Sequence, residues 1–186
     1  MQSPLEDEAV AASVLHDQFG PFGHRLLAVS KFFAAVGSLA FVALVIMSLI
    51  SIVGRKLFSM PVPGDMEILM MVAAFASATF FAYCHLENGD VKVDFFTAHA
   101  RPQTVHRLDA LGSLLVGLFG VVIAWRSWVG AMSLREAAET SPILAWPIWV
   151  VQASMVPGFI LLAIAGLYMC FLHVKVSHVY AAGGQP

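Results

Sequence analysis

The chain has 186 residues, of which 59% are hydrophobic and 12% are charged, and its mean hydropathy is +0.81. Because soluble domains carry about 25% charged residues, this composition indicates an integral membrane protein. The net charge of −2 excludes the large basic surface of a nucleic-acid-binding protein. The two cysteines, Cys84 and Cys170, lack the Cys-x-x-Cys spacing of a zinc or thioredoxin-like site.

Four apolar runs are long enough to cross a bilayer, whose core takes about 20 helical residues. We predict helices over residues 32–54, 68–85, 110–132 and 147–174. Asp65 is the predicted N-cap of the second helix, since its carboxylate can accept from unpaired N–H groups there. Pro147 suits the first position of the fourth helix, and Pro157 predicts a kink inside it.

The distribution of basic residues predicts that both termini are cytoplasmic. Six Lys and Arg fall on the inner side of such a topology and four on the outer side. We expect interfacial anchors at Lys31 and Arg55, which bracket the first span. Four tryptophans fall around the outer turn between the third and fourth spans, where indoles favour the headgroup layer: Trp125, Trp128, Trp146 and Trp149.

Three domains are predicted on this basis. Residues 1–24 form a cytoplasmic tail or an interfacial helix, because their acidic start is unlike a secretory signal. Residues 25–175 form the four-helix transmembrane domain, and residues 176–186 form a cytoplasmic tail. Between the second and third helices, residues 86–107 include a short amphipathic stretch that indicates an interfacial segment or a partner contact.

The central turns of the predicted spans carry no charged residue, which argues against a substrate or ion relay at mid-depth. We expect no catalytic, cofactor-binding or metal-binding residues, and hence no enzyme. Arg126 lies near one interface, either snorkelling to water or pairing with another subunit. Glu67 either caps the second helix or contacts a partner. The seven histidines fall at helix ends or in loops, and only His85 with His173 is a candidate haem pair.

Small residues at a spacing of four predict close helix contacts, because helices in lipid associate through close backbone approach. The three pairs are Ala74 with Ala78, Ser113 with Gly117, and Gly120 with Ala124. Each pair is compatible with packing inside this chain or with docking to a partner.

The order of these features resembles the small membrane subunit of TRAP transporters, the DctQ-like subunit of tripartite ATP-independent periplasmic systems. The resemblance covers about residues 31–171: a first span ending at Arg55, an acidic start to the second helix, and a Val-Pro-Gly step at residues 156–158. Residues 89–94 read GDVKVD, similar to the family's Gly-His-Ile-x-Val-Asp, with Asp90 in place of His. Residues 141–149 read SPILAWPIW, similar to Ser-x-x-Leu-x-Ile-Pro-x-Trp, with Trp146 in place of Ile.

The resemblance implies an accessory subunit of a bacterial inner-membrane transporter. Its partners would be a large DctM-like membrane subunit, which moves an organic acid inward with sodium by an elevator motion, a periplasmic solute-binding protein, and membrane lipid. The small subunit would brace the large one. Expected partner contacts are Glu67, Ala74, Ala78, Arg126 and Trp149. The alternative is a membrane-anchor subunit of a redox complex, with haem b on His85 and His173.

Overall fold

A computed structural model describes residues 19–58, 62–89 and 102–181. These residues form four helices: α1 (Pro21–Phe58), α2 (Asp65–Leu86), α3 (Pro102–Glu136) and α4 (Ile148–Ala181). Each helix is long and apolar enough to cross a membrane. The predicted all-α, four-helix membrane fold is therefore confirmed. Most of the N-terminal tail and the core of the predicted interfacial segment, at residues 1–18 and 90–101, lie outside the described residues.

The helix ends extend beyond the predicted apolar runs. α1 begins at Pro21 and passes through Arg25 and Lys31, since exposed cations at the end of a span can reach water without ending the helix. α3 continues through Arg126, as predicted, and α4 starts directly after Pro147. The predicted domain limits at residues 24 and 175 thus lie within α1 and α4.

α4 is the central helix of the bundle. It packs against α3 on one side and against α2 on the other, while α1 packs mainly on α2. Half of the most apolar window of α4 is buried inside the chain, whereas only 17% of the corresponding window of α1 is buried. α1 therefore leaves most of its apolar surface to lipid or to a partner.

Glycine brings α3 and α4 into backbone contact. A Cβ atom added to Gly166 would lie 2.5 Å from the backbone nitrogen of Gly117 and 2.8 Å from the carbonyl oxygen of Ser113. A Cβ atom added to Gly120 would lie 2.8 Å from the backbone nitrogen of Ala163. The structure thus uses the small residues of α3 for internal packing, one of the two roles that the sequence left open.

The α2–α4 contact also depends on a glycine. A Cβ atom on Gly158 would lie 2.5 Å from the Ala78 carbonyl oxygen, so α2 crosses α4 at the residue after Pro157. Ala78 is only 1% exposed. Its side chain faces the inside of this chain and offers no surface to a partner in this arrangement. Pro157 lies inside α4, as predicted, and the kink there stays a prediction.

The backbone contact at Gly166 predicts an unusual cost for its replacement by alanine. Gly166→Ala should lower the free energy of unfolding by about 1–3 kcal/mol, because the added methyl group meets backbone atoms that cannot rotate away. Unfolding in detergent measures the change. Gly112→Ala on α3 is the matched control, since a Cβ there meets nothing within 4 Å; it should be neutral or stabilising by up to about 1 kcal/mol. If both substitutions changed the free energy of unfolding by the same amount, the close packing of α3 against α4 at Gly166 would be contradicted.

Candidate functional site

Polar side chains of the bundle gather at its two ends. The loop end contains the end of α1, the start of α2 and the α3–α4 loop, residues 137–147. The histidine end contains the start of α3 and the last turns of α4. Because the helix centres carry no charge, any specific polar chemistry in the described part of the chain lies at these two ends.

At the loop end, Glu67 holds the α3–α4 loop against α2. Its carboxylate accepts a hydrogen bond from the Ser141 hydroxyl, one from the Ile143 amide at 2.8 Å and one from the Leu144 amide at 3.1 Å. Each bond involves a charged acceptor, which makes it stronger than a bond between neutral groups. Glu67 therefore fixes a loop more than 70 residues away in sequence, a role that differs from capping its own helix.

The packing around Gly64 strengthens the same attachment. Gly64 has a φ of 73°, a conformation that favours glycine, and a Cβ added there would lie 2.7 Å from Cγ of Leu144. Within the loop, the Ser141 amide donates to the Trp146 carbonyl at 2.8 Å. The loop is thus held by polar contacts on one side and by an apolar contact on the other.

Asp65 joins α1 to α2. Its carboxylate accepts from the Ser51 hydroxyl at 2.6 Å, from Arg55 at 2.8 Å and from the Met66 amide at 2.8 Å. The prediction that Asp65 is the N-cap was wrong: Gly64 is the N-cap, because only the left-handed turn at glycine brings Asp65 into the first helical position. The carboxylate still lies at the positive end of the helix dipole.

The other predicted loop-end residues differ in their surroundings. Arg126 is exposed on α3. Trp149 is half-buried, and the guanidinium carbon of Arg135 lies 5.4 Å from its ring centroid, a cation–π contact. The predicted anchors remain on the surface: Lys31, Arg55, Trp125, Trp128 and Trp146. Their exposure is compatible with an interfacial position.

Ala74 lies on the outward face of α2. This face is formed by Met70, Ala74, Ser77 and Phe81, which recur at the spacing of one helix side. Met70, Ser77 and Phe81 are exposed and Ala74 is half-buried. Ala74 and Ser77 are the two small residues in the middle of this face, between Met70 and Phe81.

At the histidine end, the structure brings together three side chains that the sequence analysis did not combine. His106 and Asp109 come from α3 and His173 from α4, and one potential ligand atom of each lies within 4.8 Å of the others. The rings of His106 and His173 are 5.8 Å apart. The spacing of His106 and Asp109 shows that they share a helix face, but their proximity to His173 depends on the α3–α4 register.

Loss of the Glu67 contacts should release the α3–α4 loop. We expect Glu67→Ala to accelerate amide hydrogen exchange several-fold at Ile143 and Leu144, because both amides lose their acceptor. Exchange mass spectrometry of the detergent-solubilised chain measures it. Glu136→Ala, an exposed residue at the end of α3, is the control and should leave the loop unchanged. Unchanged protection in Glu67→Ala would show that the loop does not depend on this carboxylate.

Comparison with known protein families gives a match. The family model described as tripartite ATP-independent periplasmic transporters, DctQ component, matches residues 44–176. This match covers more than two thirds of the chain, from the second half of α1 to the last turns of α4. No curated protein and no solved structure matches the chain. The chain belongs to the DctQ family, the small-subunit component of TRAP transporters.

Proposed function

We propose that this chain is the brace of a sodium-coupled TRAP transporter for organic acids, holding the stationary part of a large elevator-type subunit. The observation that carries the proposal is the family match over residues 44–176. As a member of a transporter-component family, the chain serves transport in a multi-pass membrane setting and not catalysis. We place it in the bacterial inner membrane with both termini cytoplasmic. The haem b alternative, with ligands His85 and His173, finds no support in this family.

The distribution of charge supports a bracing role over substrate transport. Transporters that move their own substrate place ionisable groups or broken helices near mid-membrane. Here the central turns are uncharged, and α3 and α4 are locked by backbone contacts at Gly117 and Gly166. A bundle fixed in this way suits a part that stays still while its partner moves.

The outward face of α2 is the proposed contact with the large DctM-like subunit. Its two small residues, Ala74 and Ser77, allow the close helix approach by which helices associate in lipid. Arg126, Trp149 and Glu67 are the proposed polar contacts nearer the loop end. The periplasmic solute-binding protein would meet the loop end, since this end faces the periplasm in the proposed topology.

Uptake in cells that lack this chain tests the proposal. We expect that its deletion abolishes accumulation of the organic acid that the intact transporter carries and that re-expression restores it. Replacing sodium by potassium in the medium should likewise abolish accumulation of the organic acid in cells that carry the intact transporter. A tagged chain purified from native membranes should retain a large multi-pass protein in about equal amount. Purification of the chain alone, or with haem-containing subunits, would contradict the proposal.

A bulky residue on the outward face of α2 should separate the two subunits. Ser77→Trp puts a bulky ring where close helix approach needs a small residue, so we expect it to remove most of the co-purified large subunit and most of the uptake. Because Ser77 is exposed, the melting temperature of the isolated chain should not change. Leu118→Trp, at an exposed apolar position of α3, is the control and should retain both the co-purified large subunit and the uptake. If Ser77→Trp retains the partner, this face contacts lipid instead.

A further inference from the structure

The histidine end carries a ligand set that the proposed transport function does not use. His106 and Asp109 lie three residues apart near the start of α3, and therefore project from one helix face. His173 projects from α4, the helix packed closest to α3. The three residues thus belong to two helices whose relative position is fixed by backbone contact elsewhere.

The α3–α4 register explains why these side chains meet. Along the antiparallel pair, Gly120 lies against Ala163 and Gly117 against Gly166. Continuing the same step toward the histidine end brings Ala110 opposite His173, so that Asp109 is next to this position and His106 is one helical turn further on. The cluster is therefore a consequence of the glycine contacts and requires no special loop.

The distances fit a small cation. One ligand atom from each of the three side chains lies within 4.8 Å of the other two. Tetrahedral Zn²⁺ with ligands at about 2.0–2.1 Å separates neighbouring ligand atoms by about 3.3 Å. Side-chain rotations that shorten the distances between these ligand atoms by at most about 1.5 Å would therefore bring all three within reach of one ion.

The burial of the cluster suits ion binding and release. His173 is 1% exposed, while His106 and Asp109 are half-buried. The imidazole of His173 is shielded from water and held in place by its neighbours. The partly exposed side chains of His106 and Asp109 let an ion reach the site from water. The site lies near the helix ends, close to the polar surface and away from the apolar centre of the bundle.

We propose that His106, Asp109 and His173 form a binding site for Zn²⁺ that ties the start of α3 to the end of α4. Two imidazoles and one carboxylate are a common protein ligand set for zinc, with the fourth position left to water or to a further ligand. Borderline-soft Zn²⁺ prefers this nitrogen-rich set over Mg²⁺ or Ca²⁺, which prefer oxygen ligands. The site does not depend on the proposed transport function.

Hydrogen bonding within the cluster, without a metal, is the competing explanation. A carboxylate between two imidazoles can hold α3 and α4 together by accepting their N–H groups. Both explanations predict lower stability when a member is removed. Only the zinc site predicts that added Zn²⁺ stabilises the protein, and that this effect disappears in the variants.

Metal titration of the full chain distinguishes them. The chain is purified in detergent with a tag that contains no histidine, stripped with a chelator and titrated with Zn²⁺. We expect about one Zn²⁺ per chain by elemental analysis and a melting temperature that rises with Zn²⁺ concentration. Co²⁺ in the same site should give the intense visible absorption of tetrahedral coordination.

Variants of two of the three ligands complete the test. His106→Gln and Asp109→Asn keep the size of half-exposed side chains, and each should weaken Zn²⁺ binding by more than about tenfold. His24→Gln, an exposed histidine on α1, is the control and should bind as the wild type does. Absence of bound Zn²⁺ in the wild type, or equal binding in wild type, His106→Gln and Asp109→Asn, would overturn the proposal. If the ligand variants lose Zn²⁺ binding and keep normal uptake, the zinc site stabilises the chain and is not needed for transport.

Discussion

The close approach of α3 and α4 is the constraint on which the rest of the structure depends. Because Gly117 and Gly166 have no side chain, the two backbones touch, and neither helix can slide without a collision. This one contact sets the register over the whole length of the pair. It therefore determines which side chains meet at the histidine end, where His106 and Asp109 of α3 lie beside His173 of α4.

The loop end shows how few polar contacts can connect a bundle whose helices are otherwise apolar. Asp65 joins α2 to α1 through Ser51 and Arg55, while Glu67, two residues later, joins α2 to the α3–α4 loop. The start of α2 is thus attached both to α1 and to the α3–α4 loop. In lipid, where apolar surfaces associate no more readily with each other than with lipid tails, such directional contacts fix the relative position of helices.

The sequence predicted the helices better than their contacts. Hydropathy located all four spans because a bilayer demands about 20 apolar residues with internal hydrogen bonds. It missed the start of α1, since Arg25 and Lys31 can remain helical at the water interface. It also placed the N-cap at Asp65 because a carboxylate suits that position, whereas the left-handed conformation of Gly64 decided it. The partners of Glu67 and His173 depend on tertiary register, which single-sequence patterns do not contain.

The combination of an uncharged centre and polar ends has a mechanical consequence. Moving a charge or a substrate through the bundle would require its helices to separate, yet α3 and α4 are in backbone contact and α2 crosses α4 at Gly158 with similar closeness. In the described residues, these close contacts resist displacement of the helices. The apolar surface that α1 leaves exposed is large, because only 17% of its most apolar window is buried inside the chain. Under the proposed function, the rigidity of the α3–α4 pair is transmitted to the large subunit through α2, which packs on α4 and provides the proposed contact with that subunit.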